Sequence, residues 1–245
     1  MAIIRPTIIK RTRLKEAREL RALSRSTKEY YEAFSDGYAA FYDNWPRAED
    51  MFTDARYKDG YDNVAKVLAD VAKPGEKVVD VGCGVGVWSA LMAEGGAHVT
   101  GLDYAIGPLK KCGARRDERR LASRINVVLA DGFRLSFRER TFDGATLNWV
   151  LAHVPVSRNA GFLREVGRVV KKNGWLVVSD SRWRGQEGGK EQVQLRDTDE
   201  GCYDIYKYYY DAEELRVLVS EEYGRVERLE ITDYELICVA TRREV

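Results

Sequence analysis

The sequence has few residues of the types that hold metals or form disulfides. Its 245 residues include two histidines, and the four cysteines, Cys83, Cys112, Cys202 and Cys238, lie far apart without a Cys-x-x-Cys pair. Zinc sites and disulfide frameworks need such residues in sets at characteristic spacings. We therefore expect neither a metal site nor a disulfide framework.

Long hydrophobic runs are also missing. No apolar run approaches the roughly 18 to 20 residues that a membrane-spanning helix needs. The arginine-rich beginning of the chain has no apolar segment of signal-peptide length behind it. We expect a cytoplasmic protein without a membrane partner.

The chain has almost no net charge, with 40 Lys and Arg against 39 Asp and Glu. The whole-chain charge of +1 gives no reason to expect a nucleic-acid partner. The charge is distributed unevenly, however, because residues 1–28 carry +7 and residues 110–124 carry +5, which leaves −11 on the rest. These two basic segments either bind the phosphates of an RNA or form solvated faces paired with acidic residues.

Five apolar, β-branched runs alternate with segments of helix length, a pattern typical of βαβ units in a parallel sheet. The runs cover residues 77–81, 97–102, 125–130, 142–148 and 175–179. After a predicted helix over 211–222, two more strand-like runs at 225–231 and 235–241 are joined by a very short turn, which only an antiparallel pair allows. The pattern predicts an α/β fold with a mostly parallel sheet that ends mixed.

The residues before the first run predict a helical prefix. Apolar residues recur at helical spacing over 7–34 without glycine or proline, which predicts one or two exposed amphipathic helices. An aromatic and acidic stretch over 38–61 and a helix over 62–72 then predict a capping layer. We divide the chain into an N-terminal helical extension and cap, 1–72, and a main domain, 73–245. The amphipathic prefix leaves pairing with a second copy open, and the glycine-containing segment 184–201 is predicted to be a mobile loop.

The strongest local signal is a strand that runs directly into closely spaced glycines, Gly82, Gly84 and Gly86, and then into a helix. Glycine adopts positive φ and lets the backbone approach a ligand, and the following helix N-terminus offers free N–H groups. The third glycine comes one residue too early for the dinucleotide fingerprint Gly-x-Gly-x-x-Gly. An anionic or polar ligand other than a pyrophosphate is therefore favoured.

The segment from Asp80 to Gly86 resembles the Asp-x-Gly-x-Gly-x-Gly motif of the class I S-adenosylmethionine-dependent methyltransferases, and the general arrangement resembles the UbiE-like members. Further landmarks of that family follow in register at Gly101-Leu102-Asp103, Ala130-Asp131-Gly132 and Phe142-Asp143. The resemblance covers roughly residues 70–242. It implies a Rossmann-like, doubly wound seven-stranded sheet with an antiparallel last strand, and S-adenosyl-L-methionine as cofactor.

The resemblance also implies roles for single residues. Asp103 would accept hydrogen bonds from the ribose hydroxyls, Asp131 would face the adenine amino group, and Tyr42 would close over the methionine end. The predicted cofactor-binding residues are Tyr42, Asp80, Gly82, Cys83, Gly84, Gly86, Trp88, Asp103, Tyr104, Asp131, Gly132, Phe133 and Asn148.

The acceptor side is less constrained by the sequence. His153 follows the fourth strand in the stretch that lines the mouth of the site in the family, so it is either a base or acceptor ligand or a packed structural histidine. Aromatic residues outside the βα core either hold a flat or cationic acceptor or pack between layers. The predicted acceptor-binding residues are Trp45, Trp149, His153, Trp183 and Tyr206.

Three functions follow from these features. The leading hypothesis is methyl transfer to a small-molecule acceptor at an N, O or C atom, because of the aromatic cap, the absence of a recognisable RNA-binding module and the UbiE-like arrangement. The Asn-Pro-Pro-Tyr and Pro-Cys signatures are absent, which disfavours two nucleobase chemistries. The alternatives are an RNA methyltransferase that uses segments 1–28 and 110–124, and a protein that binds S-adenosylmethionine without catalysis.

Overall fold

The computed structural model of the protein describes residues 7–9, 17–43 and 56–243. The strands are β1 Thr7–Ile9, β2 Lys77–Val81, β3 His98–Asp103, β4 Ile125–Leu129, β5 Phe142–Asn148, β6 Val170–Ser181, β7 Glu191–Thr198, β8 Gly201–Tyr208, β9 Gly224–Ile231 and β10 Glu235–Arg242. The α-helices are α1 Ala17–Ala33, α2 Ser35–Asp43, α3 Arg56–Val71, α4 Val87–Glu94, α5 Ile106–Glu118, α6 Val156–Val169 and α7 Ala212–Glu222, and Leu151–His153 forms one 3-10 turn.

Seven strands form the main sheet, in the order β4-β3-β2-β5-β6-β10-β9. The first five of these strands are parallel, whereas β10 pairs antiparallel with both β6 and β9. This is the predicted fold class, with its mixed end at the C-terminal hairpin. The order places the carboxyl ends of β2, β3, β4 and β5 along one edge of the sheet, where open α/β sheets bind their ligands.

The inner strands of the main sheet are largely buried on both faces, which explains their continuous apolar runs, whereas the edge strands β4 and β9 are partly exposed. Val79 and Val178 face a core formed with α6 and α7, while their neighbours Val78 and Val177 face a second core formed with α3 and α4. Alternation of successive side chains across the sheet produces this division. Helix α7 begins with a capping box in which the Asp211 side chain accepts the N–H of Glu214.

A second sheet of three strands, in the order β1-β7-β8, was not predicted. The prediction of a mobile loop over 184–201 is wrong for residues 191–198, which form β7. Gly185 and Gly189 have positive φ and lie in the turn before that strand, so this part of the segment has irregular backbone. In β7 the polar residues Gln192, Gln194 and Arg196 alternate with Val193 and Leu195, so the segment lacks the apolar run that identified the other strands.

The prefix is helical from residue 17, as the spacing indicates, but residues 7–9 form β1 instead of helix. Helix α1 is also less exposed than predicted, because Leu23, Thr27 and Tyr30 are buried. The ring of Tyr30 contacts that of Tyr203 on β8 at 6.2 Å between centroids. Because β1 pairs with β7, the small sheet joins segments on both sides of residue 72, and the domain division proposed there stays a prediction. No helix within the described ranges is long and apolar enough to cross a membrane.

Candidate functional site

A cavity of about 1170 Å³ lies between the carboxyl edge of the main sheet and the layer formed by α1, α2 and the β7–β8 hairpin. Its floor is formed by the residues that end four parallel strands: 81–84 after β2, 102–104 after β3, 130–133 after β4 and 148–150 after β5. The strand ends are the places where the sequence changes from apolar residues to glycine, aspartate and asparagine. The predicted site residues therefore converge on one space.

The glycine-rich turn is held in a conformation that suits glycine alone. Gly82, Gly84 and Gly86 have φ of 72°, 53° and 79°. A Cβ on Gly82 would lie 2.4 Å from Val150, and one on Gly86 would lie 2.4 Å from the Cys112 sulfur, whereas a Cβ on Gly84 would meet nothing within 4 Å. Gly82 and Gly86 therefore allow close packing, and Gly84 leaves the backbone open toward the cavity.

Asp103 connects the end of β3 to this turn. Its Oδ2 accepts the N–H of Gly84 at 3.0 Å, and its Oδ1 accepts the N–H of Ala105 at 2.9 Å. Burial raises the pKa of this carboxyl to about 6, against the opposing effect of its backbone hydrogen bonds. Each carboxylate oxygen keeps accepting capacity, so Asp103 can receive a pair of hydroxyl groups from a ligand in the cavity.

Asp80 lies beneath the turn and has one carboxylate oxygen without a partner. Its Oδ2 accepts the hydroxyl of Ser89 at 2.6 Å, while Oδ1 has no hydrogen-bond donor among the described residues. Burial raises the pKa of Asp80 to about 7, and the charge of Asp103 raises it further. A buried acceptor without a donor is costly, so this oxygen fits a ligand that brings a cationic donor, as the amino acid end of S-adenosylmethionine does.

The end of β4 supplies the third acidic group. Asp131 is exposed, and its Oδ1 accepts the N–H of Phe133 at 2.9 Å. A Cβ on Gly132 would lie 2.8 Å from the Phe162 ring, so the backbone here is packed closely. Arg158 places its guanidinium carbon 3.7 Å from the centre of the Phe133 ring, which closes this side of the cavity.

Aromatic rings line the space beside Asp80. Tyr61 stacks on Trp149 at 4.3 Å and on Trp88 at 5.7 Å between ring centroids, and its hydroxyl lies 3.1 Å from that of Tyr42. Trp149 has a positive φ of 55°, a strained backbone conformation of the kind often found at functional sites. The side chain of Asn148 is engaged within the sheet, with Thr146 and Ser179, and lines the cavity beside Trp149.

His153 is held by hydrogen bonds at both ring nitrogens. Its Nδ1 lies 2.7 Å from the Tyr206 carbonyl oxygen, and its Nε2 lies 3.0 Å from the Tyr31 hydroxyl. Because a carbonyl only accepts, Nδ1 carries the proton and Nε2 accepts from Tyr31. Burial, together with the charges of Lys207 and Arg196, lowers the pKa of His153 to about 3, against the opposing effect of the hydrogen bond to the Tyr206 carbonyl. The ring is therefore neutral at pH 7.

Tyr31 was missed by the sequence analysis. It belongs to an aromatic cluster with Tyr30, Phe34 and Tyr38, whose rings lie between 5.1 and 6.4 Å apart. The spacing of three to four residues from Tyr31 to Phe34 and from Phe34 to Tyr38 is a sequence signal for rings on one side of the helical prefix, but the predicted aromatic stretch began at Tyr38. The face points into the cavity, where all four rings form part of the lining.

Eleven of the thirteen predicted cofactor residues line the cavity, and Asp80 and Gly86 lie behind the turn that does so. Among the predicted acceptor residues, Trp149 and His153 line it, Trp183 and Tyr206 do not, and Trp45 lies outside the described residues. Tyr206 points to the opposite face of β8, where its hydroxyl donates to Glu191 at 2.9 Å and accepts the N–H of Val156 at 3.1 Å. Strand alternation turns Ile205 and Lys207 toward the cavity instead.

Comparison with known families identifies the central part of the chain. Residues 79–178 match the family model described as a methyltransferase domain. A demethylmenaquinone methyltransferase from Corynebacterium kroppenstedtii is 41% identical over 108 residues, which are 44% of this chain and 43% of that protein. One from Renibacterium salmoninarum is 31% identical over 147 residues, 59% of each chain. The chain thus matches about half the length of these curated relatives.

Solved structures extend the likeness over nearly the whole chain. DhpI in complex with SAH superposes with a TM-score of 0.71 at 20% identity, covering 92% of this chain and 99% of that one. The Burkholderia thailandensis 1,6-didemethyltoxoflavin-N1-methyltransferase, with S-adenosylhomocysteine bound, gives a TM-score of 0.67 at 19% identity and covers 98% and 95%. The central segment is therefore similar to methyltransferase domains, and the fold is the Rossmann-like fold of the class I methyltransferases.

Proposed function

We propose that this chain transfers a methyl group from S-adenosylmethionine to a small-molecule acceptor. The observation that supports this proposal most directly is that one continuous cavity joins the glycine-rich turn and Asp103 to the Tyr31–His153 pair. Pockets for single small ligands measure roughly 300 to 1,000 Å³, so the cavity of about 1170 Å³ has room for a cofactor and a compact acceptor together. Its roof of rings and helices favours an enclosed small molecule.

The cofactor half divides the ligand among the strand ends. In this proposal Asp103 accepts hydrogen bonds from the ribose hydroxyls, Asp131 receives the adenine amino group, and the free oxygen of Asp80 faces the cationic amino acid end. When bound, the cofactor supplies an activated methyl group, and the protein supplies alignment. The stacked rings of Tyr61, Trp88 and Trp149 exclude water from the space beside the methyl group.

The Tyr31–His153 pair is proposed to take the proton of an acceptor that must lose one before it attacks. The acceptor proton moves to the Tyr31 oxygen as the Tyr31 proton moves to Nε2 of His153. The Tyr206 carbonyl keeps the opposite nitrogen protonated, which fixes the tautomer that this transfer needs. Tyr31 is then the residue that contacts the acceptor, and His153 acts through it.

The relatives do not define the acceptor of this chain. The matching family model ends at residue 178, so it covers the cofactor-binding strands but neither α1 nor the β7–β8 hairpin, which form the acceptor half. The [4+2]-cyclase SpnF has the same fold, with a TM-score of 0.63, which shows that this fold carries out different reactions on different molecules. The acceptor is therefore inferred from the residues of this chain.

The proposal is tested by binding and by turnover. Calorimetry should detect S-adenosylhomocysteine binding to the wild-type protein and a loss of at least tenfold in affinity in Asp103→Asn, because a carboxylate that accepts two hydroxyl groups is lost. Asp117→Asn, on the exposed side of α5, is the matched control and should bind normally. Equal affinity in Asp103→Asn and wild type would contradict the assigned cofactor site.

A further inference from the structure

We propose that the acceptor carries an anionic oxygen group, a carboxylate or a phosphate, which Arg196 and Lys207 bind on the inner face of the β7–β8 hairpin. This inference rests on the proposed function and names the class of molecule that enters the acceptor half of the same cavity.

The hairpin register places the two cations on one face. Gln192 pairs with Lys207, Gln194 with Ile205 and Arg196 with Tyr203, and paired residues of antiparallel strands point to the same side. The cavity lining includes Gln194, Arg196, Ile205 and Lys207. Two positive charges thus face the space above His153 from adjacent strands.

Arg196 is held in place by neutral amides. Its guanidinium donates to Oε1 of Gln194 at 2.8 Å, and the Gln194 amide donates to Gln192 at 2.8 Å and to the Tyr209 hydroxyl at 3.0 Å. Both glutamines are buried. No carboxylate of the described residues forms an ion pair with Arg196. The chain of amides orients the guanidinium without neutralising its charge. The guanidinium is therefore positioned and charged to bind an anion.

Lys207 retains the capacity to bind a ligand. Its ammonium lies 3.0 Å from the Ser181 hydroxyl, 3.4 Å from Oδ1 of Asp180 and 5.4 Å from the centre of the Tyr209 ring, a longer ring contact than those of Arg158 and Arg184. Asp180 is fully buried, and its two oxygens also accept the N–H groups of Ala152 and Ser181 at 2.7 Å. An ammonium has three donors, so its two hydrogen bonds leave one for an anion in the cavity.

The other charged groups of the lining are engaged elsewhere or exposed. The guanidinium groups of Arg158 and Arg184 lie over the rings of Phe133 and Tyr234, and that of Arg182 donates to the Thr232 carbonyl. Asp199 and Glu200 are exposed at the β7–β8 turn, and Glu235 is hydrogen-bonded to Thr232. Arg196 and Lys207 are therefore the cations available inside the acceptor half of the described cavity.

An anion bound by Arg196 and Lys207 would also change the electrostatic environment of His153. Both cations disfavour a proton on His153, and burial disfavours it most. Proton uptake by His153 therefore becomes easier when an anionic acceptor neutralises the charges beside it. The acceptor charge would then contribute to turnover as well as to binding.

The test uses the full chain saturated with S-adenosylhomocysteine and three aromatic probes: benzoate, phenyl phosphate and neutral benzamide. Calorimetry should show that at least one anionic probe binds ten times or more tightly than benzamide, and the comparison of benzoate with phenyl phosphate identifies the preferred group. Arg196→Gln should lose that preference by about tenfold, because a charged hydrogen bond is removed. Arg225→Gln, whose side chain is 78% exposed on β9, is the matched control and should retain it.

A double variant tests Lys207 together with Asp180, its buried ion-pair partner. Lys207→Gln combined with Asp180→Asn removes both charges of the pair while keeping the hydrogen-bonding shapes, and it should lose the anion preference without losing S-adenosylhomocysteine binding. Equal binding of all three probes, or an unchanged preference in Arg196→Gln, would overturn the inference. Failure of S-adenosylhomocysteine itself to bind would instead refute the proposed function.

Discussion

At the scale of single residues, two buried carboxylates lie at the glycine-rich turn, Asp103 in the lining of the cavity and Asp80 behind the turn. Asp80 and Asp103 both have raised pKa values because burial disfavours their charged forms. Sequence alone identified both positions, since each ends a strand beside the glycine-rich turn. It did not identify Tyr31, because the contact between Tyr31 and His153 joins residues 122 positions apart.

The first prediction concerns Asp80 and pH. Its pKa is about 7 in the folded protein and 3.8 in the unfolded chain, so the folded state binds more protons between these values. Its contribution to stability is therefore full below pH 4 and is lost as pH rises through 7. Asp80→Asn cannot ionise, so its melting temperature relative to wild type should increase from pH 5 to pH 8 in the unliganded protein.

Differential scanning fluorimetry at the two pH values measures this change, with exposed Asp117→Asn as the control that should show no such trend. The same Asp80→Asn variant should bind S-adenosylhomocysteine more weakly than wild type, because the free carboxylate oxygen that faces the ligand amine has gone. A melting difference that falls with pH would show that Asp80 does not titrate as described.

The second prediction concerns Tyr31. Removing its hydroxyl breaks the proposed proton path to His153, so Tyr31→Phe should lower kcat by about 100-fold or more for an acceptor that must lose a proton. The dissociation constant of S-adenosylhomocysteine should not change. Tyr208→Phe, on the outer face of β8 where the hydroxyl contacts Glu214, is the matched control. An unchanged kcat in Tyr31→Phe would remove the pair from the reaction.

At the scale of elements, all seven strands of the main sheet could be predicted from their apolar runs, and those buried on both faces show the longest such runs. The predicted runs at 77–81 and 142–148 have the observed bounds of β2 and β5. A short, continuous apolar run is typical of a strand that is buried on both faces. Strand β7 was missed because one of its faces borders a polar cavity, and β1 is too short to show a pattern. The unpredicted sheet therefore belongs to the acceptor half of the site.

The third prediction concerns the glycine-rich turn. A side chain at Gly84 would project into open space near the ligand, and its φ of 53° strains any other residue. Gly84→Ala should weaken S-adenosylhomocysteine binding by about tenfold or more and destabilise the fold by only about 1 to 2 kcal/mol. Gly113→Ala in α5, also with nothing within 4 Å of its Cβ, should bind normally and be slightly more stable. Titration calorimetry and urea unfolding separate the two effects.

At the scale of the whole molecule, the main sheet forms the proposed cofactor half of the cavity, and the helices α1 and α2 with the β7–β8 hairpin form the proposed acceptor half. The basic segment 110–124 is partly committed to the fold: Arg115 donates to the Val85 carbonyl, Arg119 pairs with Glu94, and Arg124 donates to the Gly96 carbonyl. Of segment 1–28, only residues 7–9 and 17–28 are described. RNA binding and pairing with a second copy stay predictions from the sequence.

The fourth prediction follows from these contacts, which engage three arginines of segment 110–124 within the fold. The protein should show little affinity for RNA, and a filter-binding assay between 50 and 200 mM salt should give no steep dependence on salt. A protein that neutralises several phosphates would lose orders of magnitude in affinity over that range. A steep loss that disappears on deletion of residues 1–16 would favour the RNA methyltransferase instead.

The most direct test of methyl transfer to a small molecule is to incubate the protein with methyl-labelled S-adenosylmethionine and a fractionated cell extract. We expect label in an acidic small-molecule fraction, with one S-adenosylhomocysteine released per methyl group transferred, and loss of both in Asp103→Asn. Bound cofactor with no S-adenosylhomocysteine released from any fraction would contradict this expectation and indicate a protein that binds the cofactor without catalysis.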